Sequence, residues 1–78
     1  MVKFMFLGPF GSLMPEEDRE GYWCVDGAGK TVKEIVDTTD VVNSRMNYAV
    51  LINDLRHEQS YVLKDGDEVN ILPLFVAG

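Results

Sequence analysis

The C-terminal segment constrains the fold of this 78-residue chain more than any other part of it. A charged turn, Asp65–Glu68, leads directly into an apolar stretch, Val69–Phe75, and only small residues follow. A strand placed so late leaves the terminal carboxylate about three residues from the core, or roughly 10 Å of extended chain. A terminal glycine has no Cβ and can enter a narrow cleft. We therefore expect Val69–Phe75 to be a core strand, residues 76–78 to be a flexible tail, and the C-terminus to be the reactive group.

Composition predicts one soluble domain that spans residues 1–78. Hydrophobic residues make up 46% of the chain and charged residues 26%, which is typical of globular proteins. No apolar run approaches the roughly 18 residues of a membrane span, and Met1–Leu7 is too short for a signal peptide. The single cysteine, Cys24, excludes an internal disulfide framework and a cysteine-based metal cluster. We expect a cytoplasmic protein.

The net charge of −6 bears on the kind of partner. Nucleic acids and anionic membrane surfaces both require clustered basic residues, so neither is expected to bind. A basic protein partner is compatible with this charge, although charge alone does not identify one.

Periodicity and turn residues predict five strands and one short helix. Thr31-Val32-Lys33-Glu34 matches a capping box, in which the threonine caps the helix and Glu34 reaches back to the cap amide. Val32, Ile35 and Val36 then share one helical face, and Thr38-Thr39 predicts an early end. The predicted strands are residues 2–7, 22–25, 48–52, 61–63 and 69–75, the fourth of them a short edge segment, with Asn53-Asp54 able to turn the third.

This order predicts an α+β fold, a mixed sheet of four to five strands with one short helix packed on one face. The first and last strands are apolar on both faces, which favours adjacent positions at the sheet centre. One core between sheet and helix is expected to contain Phe4, Phe6, Val32, Ile35, Val36, Val50, Ile52, Val69 and Ile71.

Three stretches resemble one known family. Phe6-Leu7-Gly8-Pro9-Phe10 resembles its first strand and following turn, and Thr31–Ile35 resembles its helix start. Leu63–Val69, followed by Leu72-Pro73 and Val76-Ala77-Gly78, resembles its C-terminal block. The chain thus resembles the MoaD/ThiS-type sulfur carriers, which are the small subunit of molybdopterin synthase and the thiamin-pathway sulfur carrier, with the ubiquitin-like β-grasp fold.

The resemblance implies a sulfur carrier, not an enzyme. An adenylyltransferase of the ubiquitin-activating type would convert the C-terminal carboxylate of Gly78 to an acyl adenylate. A persulfide donor would then replace AMP and leave a thiocarboxylate, which a sulfur-accepting synthase subunit would use for a pterin or thiazole precursor. The chain would bind no cofactor, since the activating partner uses the ATP. Which pathway receives the sulfur, molybdopterin, thiamin or another, stays open.

Two departures from the family pattern stand out. The family ends in Gly-Gly, whereas this sequence ends Ala77-Gly78. Either the penultimate position tolerates a methyl group or a further glycine follows residue 78 in the gene. The section from Asp37 to Asn47 is also shorter and less helical than in the family.

The last strand also predicts a partner surface. If the sheet face opposite the helix is open, Leu72 and Leu74 form an exposed apolar patch beside the tail, with Phe75 at its edge, and such patches mark partner surfaces. The alternative is that residues 8–20 fold over these side chains and bury them as ordinary core.

Other candidate chemistry is weaker. Gly29-Lys30-Thr31 resembles the end of a phosphate-binding loop, but Cys24 stands where its first glycine is required. His57 is expected on an exposed loop rather than in a metal site, because it lacks companion ligands. Cys24 is expected to be a small core residue rather than a nucleophile. The alternative function to a carrier is a non-catalytic β-grasp interaction module, and a free-standing enzyme ranks last.

Overall fold

A computed structural model describes residues 1–74 and shows a small α+β protein with a five-stranded mixed sheet. The strands are β1 (Val2–Phe6), β2 (Trp23–Val25), β3 (Tyr48–Ile52), β4 (Leu55–His57) and β5 (Glu68–Pro73), and the α-helix is α1 (Val32–Val36). Two 3-10 helices, Gly8–Leu13 and Asp40–Ser44, complete the described part of the chain. None of the helices in residues 1–74 is long and apolar enough to cross a membrane.

The strand order in the sheet is β2-β1-β5-β3-β4. β1 pairs with β2 as an antiparallel hairpin and with β5 in parallel, in a register that aligns Phe4 with Val69 and Phe6 with Ile71. β5 also pairs antiparallel with β3, and β3 pairs antiparallel with β4. The expectation that the first and last strands lie side by side within the sheet is confirmed.

The core lies between one sheet face and the three helices. Side chains alternate along each strand, so that Val69 and Ile71 are fully buried while Asn70 and Leu72 are only half-buried. All nine residues expected in the core belong to it. The structure adds Val2, Phe10, Val41 and Leu63, of which Phe10 and Val41 come from the two 3-10 helices.

The start of α1 is capped as the sequence predicts. The amide of Glu34 donates to Thr31 Oγ1 at 3.1 Å, and the Thr31 amide donates to Glu34 Oε2 at 3.3 Å. The amides of Val32 and Lys33 donate to the carbonyl oxygens of Tyr61 and Gln59, both at 3.0 Å. The first four helical donors are therefore satisfied, two by the capping box and two by the backbone of a distant segment.

The fourth strand differs from the prediction. Asn53 and Asp54 both have positive φ, 49° and 71°, and turn β3 directly into β4 at Leu55–His57. Such a two-residue turn matches the right-handed twist of a hairpin. The predicted edge segment, residues 61–63, makes only an isolated antiparallel bridge between Val62 and Thr31. The prediction placed the edge strand one segment too late in the chain.

A buried carboxylate ties this later segment to β5. Asp67 is 6% exposed and accepts hydrogen bonds from the Lys64 amide at 2.9 Å and from the Tyr61 hydroxyl at 3.1 Å. Asn53 Nδ2 donates to it at 3.3 Å. Burial, followed by the hydrogen bond to Asp67, raises the pKa of Tyr61 above its ordinary value. The turn before β5 is thus joined to the β3–β4 turn.

We predict that Ile71→Ala lowers the free energy of unfolding by about 2–5 kcal/mol, because it leaves a cavity in a fully packed site. Domains of this size have only about 4–12 kcal/mol in total, so the loss should be obvious in urea titrations. Leu55→Ala is the matched control, since Leu55 is 67% exposed and its truncation should cost little. Equal urea midpoints for Ile71→Ala and the parent would show that the assignment of the core face is wrong.

Candidate functional site

The predicted reactive tail follows β5, the central strand of the sheet, in the sequence. β5 is hydrogen-bonded on both sides, and its last residue, Pro73, lies opposite Tyr48 of β3. One residue further, the Leu74 amide donates to the Asn47 carbonyl at 2.9 Å. The backbone is therefore held in register up to Leu74. Residues 75–78, which carry the predictions for Phe75, Val76, Ala77 and the Gly78 carboxylate, lie outside the described residues.

The predicted partner surface is on the sheet face opposite the core. Strand register places Leu72 of β5 beside Ala49 of β3, and Asn70 between Met5 and Leu51. Leu72 is half-buried and Leu74 is 39% exposed, and neither belongs to the core cluster. Leu72 and Leu74 are therefore available at the surface beside the start of the tail.

The alternative, in which residues 8–20 bury Leu72 and Leu74 as core, does not match this arrangement. Residues 8–14 turn toward the core side instead, where Phe10 is 1% exposed and Leu13 and Met14 pack against the core cluster. The role of Leu72 and Leu74 as a partner interface stays a prediction.

A groove of about 580 Å³ borders the same region, at the edge of the sheet where β4 ends. Its volume falls in the range of about 300–1,000 Å³ that is usual for ligand sites. Its walls come from the start of α1, the first half of β3, the end of β4 with the turn after it, and Leu74. The lining residues are Thr31, Lys33, Asn47, Tyr48, Ala49, Val50, Arg56, His57, Glu58, Gln59, Ser60 and Leu74.

Sequence reasoning did not find this groove, because it depends on where β4 ends. The signal that could have located it is Asn53-Asp54, since a two-residue turn fixes the partner strand immediately after it. Placing that strand at Leu55 brings Arg56 and His57 beside β3. The prediction included the turn at Asn53-Asp54 but assigned the edge strand to residues 61–63 instead of Leu55–His57.

Tyr48 is the most perturbed titratable group of the groove. Its ring packs against the core, and burial, with a smaller contribution from the Asp37 carboxylate, raises the pKa of its hydroxyl to about 12. The hydroxyl oxygen is buried and has no hydrogen-bond partner within residues 1–74. A phenol with this pKa stays protonated at neutral pH.

His57 lies on β4 rather than on the exposed loop that was expected. It is half-buried, and its ring contacts the Tyr61 ring at a centroid distance of 4.6 Å. Within residues 1–74, no group of three or more histidine, cysteine or acidic side chains could hold a metal ion. His57 thus packs against Tyr61 and lines the groove.

The prediction that Cys24 is a core residue is wrong. Cys24 is exposed, because the alternation of β2 places its neighbours Trp23 and Val25 on the core side. Its thiol lies 3.5 Å from Asp18 Oδ2. Desolvation, and next the hydrogen bond to Asp18, raise the pKa of the thiol, which disfavours the reactive thiolate.

Gly29-Lys30-Thr31 forms a turn and a helix cap, as expected, and not a phosphate loop. Gly29 has a φ of 86°, which a residue with a side chain adopts only with strain. Thr31 Oγ1 is occupied by the Glu34 amide.

In comparisons with known proteins, no protein-family model and no curated protein sequence matches this chain.

We predict that Asp18→Asn lowers the pKa of the Cys24 thiol and speeds its alkylation by iodoacetamide at pH 8. The Tyr22 amide holds the pKa of Asp18 below its usual range, so Asp18 is a carboxylate at that pH and opposes thiolate formation. Asparagine retains the oxygen that accepts from the Glu20 and Tyr22 amides but removes the charge. The pH–rate midpoint should therefore move to lower pH.

Glu17→Gln is the control for this experiment, because it removes another exposed charge from the same loop, at a residue with no hydrogen bond to the thiol. An unchanged midpoint in Asp18→Asn, or an equal shift in Glu17→Gln, would contradict the assigned contact.

Proposed function

We propose that this chain has the ubiquitin-like β-grasp fold and acts as a sulfur carrier of the MoaD/ThiS type. In this proposal the C-terminal carboxylate of Gly78 is adenylated by a partner and then converted to a thiocarboxylate. The observation that carries the proposal is the position of β5, which is paired on both sides and runs to within five residues of Gly78. Because the backbone of β5 is held on both sides, the residues that follow it start from a fixed position.

The order of elements supports the β-grasp assignment. An antiparallel hairpin of β1 and β2 is followed by α1, which packs Val32, Ile35 and Val36 onto the sheet. The chain then returns through β3 and β4 and ends on β5, which is parallel to β1 inside the sheet. The three stretches that resemble the family lie at the end of β1 with the turn after it, at the start of α1, and at β5 with the turn before it, in the same order.

In the proposed carrier, residues 75–78 serve as the substrate tail. Gly78 is four residues beyond Leu74, which sets a reach of about 14 Å for an extended chain. Such a reach is enough for the carboxylate to enter a partner's active site while the domain stays outside. In the proposed carrier, Gly78 carries the reactive carboxylate and Ala77 is a tolerated replacement for the family's penultimate glycine.

The chemistry divides between the carrier and its partners. A carboxylate is a poor electrophile, so the adenylyltransferase would first join it to AMP and release pyrophosphate. A persulfide sulfur would then attack the acyl carbon and expel AMP, which leaves an acyl disulfide that joins the chain to the sulfur donor. A second thiol of the donor would cleave the S–S bond, which forms a disulfide in the donor and leaves the outer sulfur on the chain as a thiocarboxylate. The carrier contributes only positioning and recognition, for which Leu72, Leu74 and Phe75 are the proposed contacts.

We predict that deletion of Gly78 abolishes ATP–pyrophosphate exchange by the cognate activating enzyme without changing the melting temperature. Deletion withdraws the carboxylate by one residue, about 3.5 Å, and an attack geometry tolerates far less. Ala77→Gly should be neutral or mildly activating. Leu74→Glu should weaken binding of the activating enzyme, because it places an unpaired charge in an apolar contact.

Leu55→Glu is the control for Leu74→Glu, since Leu55 is exposed on the edge strand β4 and pairs with Ile52, at the other end of β3 from the contact of Leu74 with Asn47. Adenylation of the Gly78 deletion at the parent rate would end the carrier proposal. The non-catalytic β-grasp interaction module would then be the better account of the chain.

A further inference from the structure

The parallel pairing of β5 with β1 ends before β5 does. The last registered pair is Phe6 opposite Ile71, whereas β5 continues to Pro73. One further hydrogen bond joins the two segments, from the Leu7 amide to the Ile71 carbonyl at 2.9 Å. In the described part of the chain, the backbone of β5 is bonded beyond this point only on the β3 side.

A missing donor explains why the ladder with β1 stops there. In a parallel ladder, a bond from a β1 amide to a β5 carbonyl is followed by a bond back from the β5 amide two residues later. After the bond between Leu7 and Ile71, that donor would be the amide of residue 73 and its acceptor the Leu7 carbonyl. Residue 73 is a proline and has no N–H. The Leu7 carbonyl accepts from the Phe10 amide instead, at 3.2 Å.

The surrounding contacts show that residue 73 lies where this bond would form. Extending the register by two residues places Gly8 opposite Pro73, and a Cβ on Gly8 would lie 3.7 Å from Pro73 Cγ. The next bond of the ladder is blocked as well, because its donor would be Pro9. Gly8 has a φ of 58° and turns the chain out of the strand into the 3-10 helix Gly8–Leu13.

We propose that Pro73 is a positioning residue for the reactive tail, an inference that rests on the sulfur-carrier proposal. Because Pro73 ends the bonding to β1, the chain after it is anchored on β3 alone, where the Leu74 amide donates to the Asn47 carbonyl at 2.9 Å. A single anchor lets residues 75–78 turn about Leu74 and enter an activating enzyme. An N–H at position 73 would add a bond to β1 that opposes this turn.

Pro73→Ala supplies the missing donor, and hydrogen exchange of the ¹⁵N-labelled full chain reports whether the bond forms. We expect the new amide at position 73 to exchange about as slowly as the Leu7 amide, because it donates to the Leu7 carbonyl. The melting temperature should change little, since the added bond is offset by the greater freedom of alanine in the unfolded chain. Fast exchange at position 73 would show that Pro73 is not what ends the ladder.

Adenylation supplies a readout that a merely structural role would not move. In ATP–pyrophosphate exchange, Pro73→Ala should raise the KM for the carrier about two- to tenfold at an unchanged kcat, because the added bond must break before the tail enters the enzyme. Pro15→Ala is the matched control, since Pro15 is exposed on a loop outside the sheet, and it should leave both constants unchanged. A synthetic chain with N-methylalanine at position 73 should restore the parent KM, because this residue also lacks the N–H.

Two results of the adenylation assay would overturn the role of Pro73 and leave the carrier proposal intact. The first is an unchanged KM in Pro73→Ala when the parent chain is adenylated normally. The second is a KM for the N-methylalanine chain as high as that of Pro73→Ala, which would assign the effect to the ring contact with Gly8. A parent chain that is not adenylated at all would overturn both proposals.

Discussion

The parallel pairing of β1 with β5 is the interaction on which the rest of the structure depends. It joins residues 2–6 to residues 68–73, so the two ends of the described chain meet inside the sheet. β2 attaches to the outer side of β1, and β3 with β4 attaches to the outer side of β5. Closing so long a loop costs chain entropy before the contact stabilises anything, so burial of both strands must supply the compensation.

Most of that burial comes from one of the two sheet faces. Phe4, Phe6, Val69 and Ile71 are 0–4% exposed on one face, where they form the centre of the core. The opposite face holds half-buried side chains such as Met5, Asn70 and Leu72. The same pair of strands can therefore stabilise the domain with one face and remain available for contacts with the other.

The α-helix shows how strongly the structure depends on tertiary contacts. Five residues are too few for a stable helix in isolation. α1 persists because Val32, Ile35 and Val36 are buried on the sheet, and because residues 59–61 accept hydrogen bonds from its first amides. The capping box was predictable, since its residues are adjacent in sequence. The contribution of residues 59–61 was not, because nothing in their local sequence indicates which distant amides they meet.

The difference between local sequence signals and contacts with distant segments also explains which other predictions were right and which were wrong. β1, β3, β5 and the shared core were predictable because their apolar residues recur with the period of a buried strand. β4 was missed because Leu55-Arg56-His57 is an exposed edge strand with no apolar alternation to reveal it. Cys24 was assigned to the wrong face of the sheet. β2 has only three residues, which are too few for the apolar pattern to show which side chains point into the core. The groove at the end of β4 could not be predicted from the sequence, because it results from the unequal lengths of β3 and β4.

The central claim is that β5 presents Gly78 as a chemically reactive terminus, and the most direct measurement is the mass of the C-terminal peptide from protein isolated from its native cells. The account predicts a fraction of molecules in which one oxygen of the Gly78 carboxylate is replaced by sulfur. This fraction should convert to the ordinary carboxylate after alkylation and hydrolysis of the thioester formed. A C-terminal peptide that carries only the unmodified carboxylate, or that continues past residue 78 with residues other than glycine, would contradict the account.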